Sequence, residues 1–192
     1  MNYGARFDVV PFADEAMAIV ESILEEEKLE WEPAAVKLTT NMKETVVTDH
    51  RDSSITWIKA NKFAELLPPI IEAVNSRTDW NVDIDGWEAA QYAIYNKGQH
   101  YKWHFDSNLD TGETEGIRKI TMVLMLSGPD EYEGGEFDLE VDGPIAPVRY
   151  KSFRLDKNVA LFFRSEAWHR VRPVTSGVRK SLVTWFRGPL YV

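Results

Sequence analysis

The chain has 192 residues, 44% hydrophobic and 12% aromatic, with 22 Lys and Arg against 31 Asp and Glu, a net charge of -9 and a pI of about 5.0. This composition supports a buried core, excludes a disordered chain, and argues against a nucleic-acid partner. There is no cysteine, so disulfides and thiolate metal sites are excluded and any metal must be held by nitrogen and oxygen. No apolar run is long enough to span a bilayer, and the opening MNYGARFDVVPFADEA lacks the basic start and apolar stretch of a signal peptide. The expectation is a cytoplasmic protein without membrane association. Charge is uneven along the chain: residues 141–192 hold ten Lys and Arg and three Asp and Glu, giving +7 against -16 for the rest. That bias fits either a basic lining for an anionic ligand or a set of strands whose interleaving disperses it.

In chain order, residues 14–27 place Met17, Val20 and Leu24 at helical spacing, with Ala16, Ile19 and Ile23 beside them, and Asp14 is a candidate cap. Short strands are expected at 35–39 and 45–47. A second helix is expected over 68–75, its prolines in the first turn where a missing N–H is harmless. From Trp87 the texture changes to β-rich runs at 88–95, 100–105, 119–126, 136–141, 159–163, 170–174 and 182–187. Turn signals separate them, among them Lys97-Gly98, Ser127-Gly128-Pro129 and Gly134-Gly135. Helices followed by many short strands make an α+β fold with a sandwich or barrel core. One domain over 1–192 is expected, with helical support mainly in 1–86 and the β core mainly in 87–192.

Only four histidines are present: His50, His100, His104 and His169. His104 and Asp106 are two residues apart on an expected strand, so both side chains leave one face and can converge on a metal. So acidic a chain can produce such a pair by accident. His169, just past the run 159–163, completes a set of two imidazoles and one carboxylate, the donor set of non-haem iron(II) oxygenases, which leaves adjacent positions open. A closed structural zinc site would use four protein ligands instead. Ten residues on lies Arg179, in HRVRPVTSGVRKSLVTWF, a guanidinium suited to bidentate capture of a carboxylate. Lys180 is the competing anchor, and neighbours on a strand face opposite ways, so only one of the two points inward.

The segments QYAIYNKGQHYKWHFD, RKITMVLMLSGPDEYEGGEF and VALFFRSEAWHRVRPVTSGVRKSLVTWF resemble the prolyl 4-hydroxylase-like branch of the iron(II)/2-oxoglutarate oxygenases, in particular its short bacterial and phage-type members. The resemblance covers roughly residues 85–188. It implies a double-stranded β-helix, a jelly-roll, cupin-like core buttressed by N-terminal helices. It implies iron held by His104, Asp106 and His169, and 2-oxoglutarate held by Arg179 with Tyr95 as a hydrogen-bond partner. Tyr101 and Trp185 match residues on the substrate side of the pocket, and Arg51 falls in a segment that borders it. Two positions depart from the pattern: Met125 stands where some relatives carry a tyrosine, and Val183 where some carry a threonine, which leaves the cosubstrate fewer hydroxyl partners.

The implied activity is hydroxylation of a C–H bond coupled to oxidative decarboxylation of 2-oxoglutarate, with O2 consumed, succinate and CO2 produced, and ascorbate a candidate reductant. The expected substrate is a prolyl residue in a peptide or protein, with a free amino acid or other small molecule as the alternative. A cupin-like metalloenzyme that does not use 2-oxoglutarate stays open, as does a non-catalytic jelly-roll module; Arg179 and the complete triad weigh against them. No role falls to His50 or His100, although His100, four residues before His104, is expected to share its strand face. Trp103 and Phe105 are expected to face away from the ligands into packing, and Trp168 to be core.

Overall fold

The computed structural model describes residues 5–37, 44–107, 116–143 and 145–190. The first helix spans Asp14–Glu26 and buries Met17, Val20 and Ile23; Leu24, expected on this stripe, is only half-buried, and Ile19 is exposed. Asp14 is not its cap. It is the first helical residue, and Ala13 holds the N-cap position with no side-chain bond, so Asp14 and Glu15 act only on the positive end of the helix dipole. The second helix spans Leu67–Arg77, has proline in its first turn and buries Leu67, Ile71 and Val74. Among the described residues no helix is long and apolar enough to cross a membrane.

Two antiparallel sheets make the core. The larger runs in the order Phe7–Pro11, Val159–Arg164, Ile117–Met125, Arg179–Gly188, Ala90–Tyr95, Ser54–Ile58 and Glu32–Pro33, with Gly86–Trp87 also paired to Arg179–Gly188. The smaller runs Tyr150–Phe153, Phe137–Glu140, His169–Val171, His100–His104 and Arg51–Asp52. Spatial order departs throughout from chain order, which is the interleaving of a double-stranded β-helix. It also means that the basic C-terminal segment is spread across both sheets.

The pleat sorts side chains to two faces. On Ile117–Met125, Ile120, Met122 and Leu124 turn outward and pack with Ala160, Phe162, Leu182 and Phe186 against the two helices. Val123 and Met125 turn inward, joining Ala93, Tyr95, Leu161 and Phe163 opposite Phe137, Leu139, Phe153 and Val171 of the smaller sheet. The helices therefore brace the back of the larger sheet, and the site lies between the sheets. The expected strand 170–174 is two strands, His169–Val171 and Val174–Gly177, broken at Pro173, which has no N–H for a ladder. The second of these pairs with Tyr132–Gly134. The turn at Gly134 and Gly135 has φ of 69° and 63°, the left-handed conformation that glycine adopts without strain. Part of the expected strand 35–39 lies outside the described residues; Val36–Lys37 pairs with Glu44–Thr45.

Candidate active site

His104 ends the strand His100–His104, and its partner across the ladder is His169. Cross-strand pairing thus joins two histidines that are far apart in sequence. Asp106 follows two residues later, its N–H and that of Ser107 donating to the Ser165 carbonyl at 2.8 and 2.9 Å. The ligand-type atoms of His104, Asp106 and His169 lie within 4.8 Å of one another and all three side chains are buried. His104 Nε2 is 3.7 Å from Asp106 Oδ1, and His169 Nε2 is 3.4 Å from Asp106 Oδ2.

Each ring is fixed from behind. His104 Nδ1 lies 2.8 Å from the Lys102 carbonyl and His169 Nδ1 lies 2.9 Å from the Ala167 carbonyl. A carbonyl only accepts, so each Nδ1 carries the proton and each Nε2 turns a lone pair toward the cluster. Burial and the neighbouring His169 hold the His104 imidazole well below the usual histidine value, which keeps it neutral. Burial works against ionisation of Asp106, yet His169, His104 and Arg118, with the Trp185 indole, bring its carboxyl down to about 2. Two imidazoles and one carboxylate form a nitrogen–oxygen donor set for a divalent transition metal, with three protein ligands and room for others. Behind Asp106, Thr121 Oγ1 donates to Oδ2 at 2.9 Å and lies 3.0 Å from Ser165 Oγ, both residues being fully buried.

The bond pattern on the histidine strand is irregular. His169 pairs with His104 and Val171 with Tyr101, so three residues on one strand face four on the other. This bulge puts Tyr101, not His100, on the face of His104. The Tyr101 and His104 rings stack at 3.4 Å, whereas His100 turns to the carbonyls of Gly98 and Asp49. Burial pushes the Tyr101 phenol up, so it stays protonated.

Arg179 lies at the other end of the interior face. It is 2% exposed, while Lys180 points the other way and is partly exposed. Its Nη1 donates to Ser181 Oγ at 3.2 Å, its Nη2 lies 3.5 Å from Met125 Sδ, its Cζ sits 5.4 Å from the Tyr95 ring centre, and its Nε has no partner. No carboxylate among the described residues pairs with it. Arg179 faces Tyr95 across the ladder, Ser181 faces Met125, and Thr121 faces Trp185. From Thr121, behind the metal cluster, to Met125, beside Arg179, is four residue rises, or about 13 Å. One strand face therefore carries both the residue behind the three-residue cluster and the residue beside Arg179.

The remaining sequence candidates gather at the metal end. Trp185 is buried under Arg118, whose Cζ is 4.0 Å from its ring centre and whose guanidinium bonds both Glu88 oxygens at 2.8 and 2.6 Å. Trp57 packs on Trp185 at 6.0 Å. Arg51 pairs with Tyr101 across the ladder and lies over its ring. Phe105 and Trp168 do not enter the core: they are 47% and 40% exposed and meet edge to face at 5.1 Å. Sequence reading did not single out Thr121, Ser165, Glu88, Arg118 or Ser181. Only Ser181 had a local signal, two residues past Arg179 on the same strand face.

Among curated proteins, a PKHD-type hydroxylase of Colwellia psychrerythraea is 38% identical over 88 residues, 46% of this chain and 37% of its own length. Another, of Gloeothece citriformis, is 34% identical over 94 residues, 49% of this chain and 40% of its own. The matched part thus spans less than half the length of these relatives. Among solved structures, a Pseudomonas putida prolyl-4-hydroxylase superposes with a TM-score of 0.65 at 19% identity, covering 95% of this chain and 92% of that one. The viral collagen prolyl hydroxylase of Paramecium bursaria Chlorella virus-1, in its 2OG complex, gives 0.64 at 21% identity, covering 96% and 97%. At such identities these likenesses establish the fold, the jelly-roll core and its helical support. The profile of the 2OG-Fe(II) oxygenase superfamily matches residues 90–187, half of the chain, and this protein belongs to that superfamily.

Proposed function

We propose that the protein is an iron(II)- and 2-oxoglutarate-dependent dioxygenase that hydroxylates a C–H bond, with His104, Asp106 and His169 as the metal ligands. The observation that carries the reading is Arg179, a guanidinium buried on the interior face with no carboxylate partner among the described residues. An uncompensated buried charge is unfavourable, and a ligand carboxylate relieves it. A 2-oxo diacid suits this arrangement of charges: one end would chelate beside the triad and the other would be received by Arg179 with Ser181 and Tyr95. A cupin-like enzyme with no such cosubstrate has no use for this charge.

When bound, iron(II) and 2-oxoglutarate activate O2, one oxygen atom entering succinate as CO2 leaves and the other entering the substrate C–H bond. The chain's own part is to bind, orient and exclude water. The Nδ1–carbonyl bonds aim the imidazoles, Thr121 steadies the carboxylate, and Arg179 fixes the direction of the cosubstrate. Tyr101, Trp185, Trp57 and Arg118 form the walls where substrate enters. Hydroxylation of a prolyl residue in a peptide or protein is the favoured substrate reading, supported by the hydroxylases named above.

Anaerobic titration of apo protein with iron(II) and 2-oxoglutarate, followed by visible absorption, tests the cosubstrate. A weak charge-transfer band requiring both components is expected. Tight iron binding with no band would favour the cupin-like alternative. A product heavier by one oxygen atom on a proline-containing peptide tests the substrate.

A further inference from the structure

Arg51 is the second deeply buried guanidinium at this site that lacks a carboxylate among the described residues. It is 7% exposed. Its Nε donates to Ser53 Oγ at 3.1 Å, its Nη2 donates to Gln91 Oε1 at 2.5 Å, and its Cζ lies 4.5 Å from the Tyr101 ring centre. All three neighbours are neutral. Other buried or half-buried arginines are answered by acids: Arg118 by Glu88, and Arg170 and Arg172 by Asp138. Nη1 of Arg51 makes no hydrogen bond to the described residues. It is also not among the enclosed atoms that lack a partner, so it keeps accessible surface.

Its position separates it from the cosubstrate anchor. The Tyr101 ring beneath Arg51 is stacked on the His104 ring at 3.4 Å, so the guanidinium stands two ring layers from a metal ligand. Arg179 lies instead beside Met125, at the far end of the interior face. Arg51 thus stands at the metal end of the site and Arg179 at the opposite end. Ser53 and Gln91 fix two edges of the Arg51 fork and leave the third free, the geometry of a guanidinium set to receive a ligand oxygen.

We infer that Arg51 receives a carboxylate of the substrate, so that the substrate class is a compound carrying a carboxylate within a few bonds of the carbon that is hydroxylated. This rests on the oxygenase reading and narrows it. The chemistry fits three sources: a free amino or imino acid, a prolyl residue at a chain terminus, or a prolyl residue beside an acidic side chain.

The test pairs acids with their amides. Protein with iron(II), 2-oxoglutarate and O2 is offered three pairs. They are L-proline and L-prolinamide, an N-acetylated peptide ending in free proline and its C-terminal amide, and an amidated Glu-Pro peptide and its Gln-Pro counterpart. Stimulated succinate formation and the gain of one oxygen atom are measured. The acid of at least one pair is expected to exceed its amide in kcat/KM by about 10- to 100-fold, the range for a charge-assisted hydrogen bond. The pair that discriminates identifies the source. Arg51→Gln should bring the acid-to-amide ratio toward one, and Arg51→Lys should keep part of it. Because the pairs are compared first in the unaltered protein, a variant that folds poorly does not remove the test. Equal use of acid and amide, or preference for amides, overturns the inference. So does succinate formation that no carboxylate probe stimulates. Absence of any succinate dependent on iron(II) and 2-oxoglutarate would overturn the oxygenase reading itself.

Discussion

Thr121→Val is a nearly isosteric change at a residue with no exposure, so it removes a hydroxyl without opening a cavity. Two contacts go with it: the donation to Asp106 Oδ2 at 2.9 Å and the contact with Ser165 Oγ at 3.0 Å. A hydrogen bond to a charged group is worth about 1.5–3 kcal/mol, and a buried hydroxyl left unpaired costs about 1–3 kcal/mol. The apo protein should therefore lose about 2–4 kcal/mol, a fall in Tm of roughly 5–15 °C for a domain of this size. Loss of a partner behind a metal ligand typically weakens metal binding about 10- to 100-fold. Manganese(II) is a stable stand-in for iron(II), and titration with free manganese read by electron paramagnetic resonance gives the affinity directly. Thr121→Ser retains the hydroxyl and should stay within a few-fold of the parent. If folded Thr121→Val protein binds manganese as tightly as the parent, Thr121 does not steady Asp106, and the account of the site's rear wall is wrong.

Arg179→Gln should raise the 2-oxoglutarate requirement by about 10- to 100-fold in KM or Kd, with Ser181→Ala giving a smaller rise; an unchanged requirement moves the anchor elsewhere. Gly177→Ala should lower Tm, since φ there is 72° and a Cβ would meet the Glu131 carbonyl and, at 2.7 Å, Tyr132 Cα; strain alone is about 1–3 kcal/mol. Asp138 is fully enclosed and, although burial opposes it, bonds from Arg172, Ser152 and Arg170 hold its carboxyl below 3.8. A lowered folded-state value means stability that is full above the unfolded value and lost as pH falls below 3.8. Asp138→Asn should cost about 2–3 kcal/mol at neutral pH, less than a wholly buried pair because both arginines are about a third exposed, and the difference should shrink in acid unfolding below that pH.

The cluster of His104, Asp106 and His169 was legible because His104 and Asp106 stand two residues apart at a strand end, and because four histidines leave few choices for a third member. The first helix was legible from its apolar period and the second from prolines suited to a first turn. What escaped was set by the ladder. Thr121 lies 15 residues from Asp106 and Ser165 lies 44 from Thr121, and only strand pairing joins them. A bulge has no mark in the sequence, so the regular period put His100 where the structure puts Tyr101. The strand Phe7–Pro11 reads poorly because it is an edge strand ending in proline, yet it pairs fully with Val159–Arg164. Phe105 and Trp168 are apolar and look like core, but they sit on the outer face of the strands whose inner face carries the ligands.

The basic C-terminal segment shows most clearly how linear charge becomes site chemistry. Arg170 and Arg172 converge on Asp138, and Arg154 donates to the carbonyls of Pro129 and Tyr132. These charges are answered within the fold and form no patch. Arg179 differs because the strand Arg179–Gly188 starts inside the sandwich, where the larger sheet supplies Tyr95, Met125 and Ser181 but no acid. Arg51 enters from the N-terminal third, which is acidic overall, and is again left among neutral groups. A chain with 31 acidic residues has enough carboxylates to pair both arginines. Two buried guanidiniums without one among the described residues, Arg51 near the three-residue cluster and Arg179 at the far end of the interior face, suit a site for two anionic molecules at once. It follows that an acidic substrate and 2-oxoglutarate should bind without competing, and that high concentrations of one should not raise the KM of the other. Mutual competition in initial-rate kinetics would mean that the two positive ends serve one ligand.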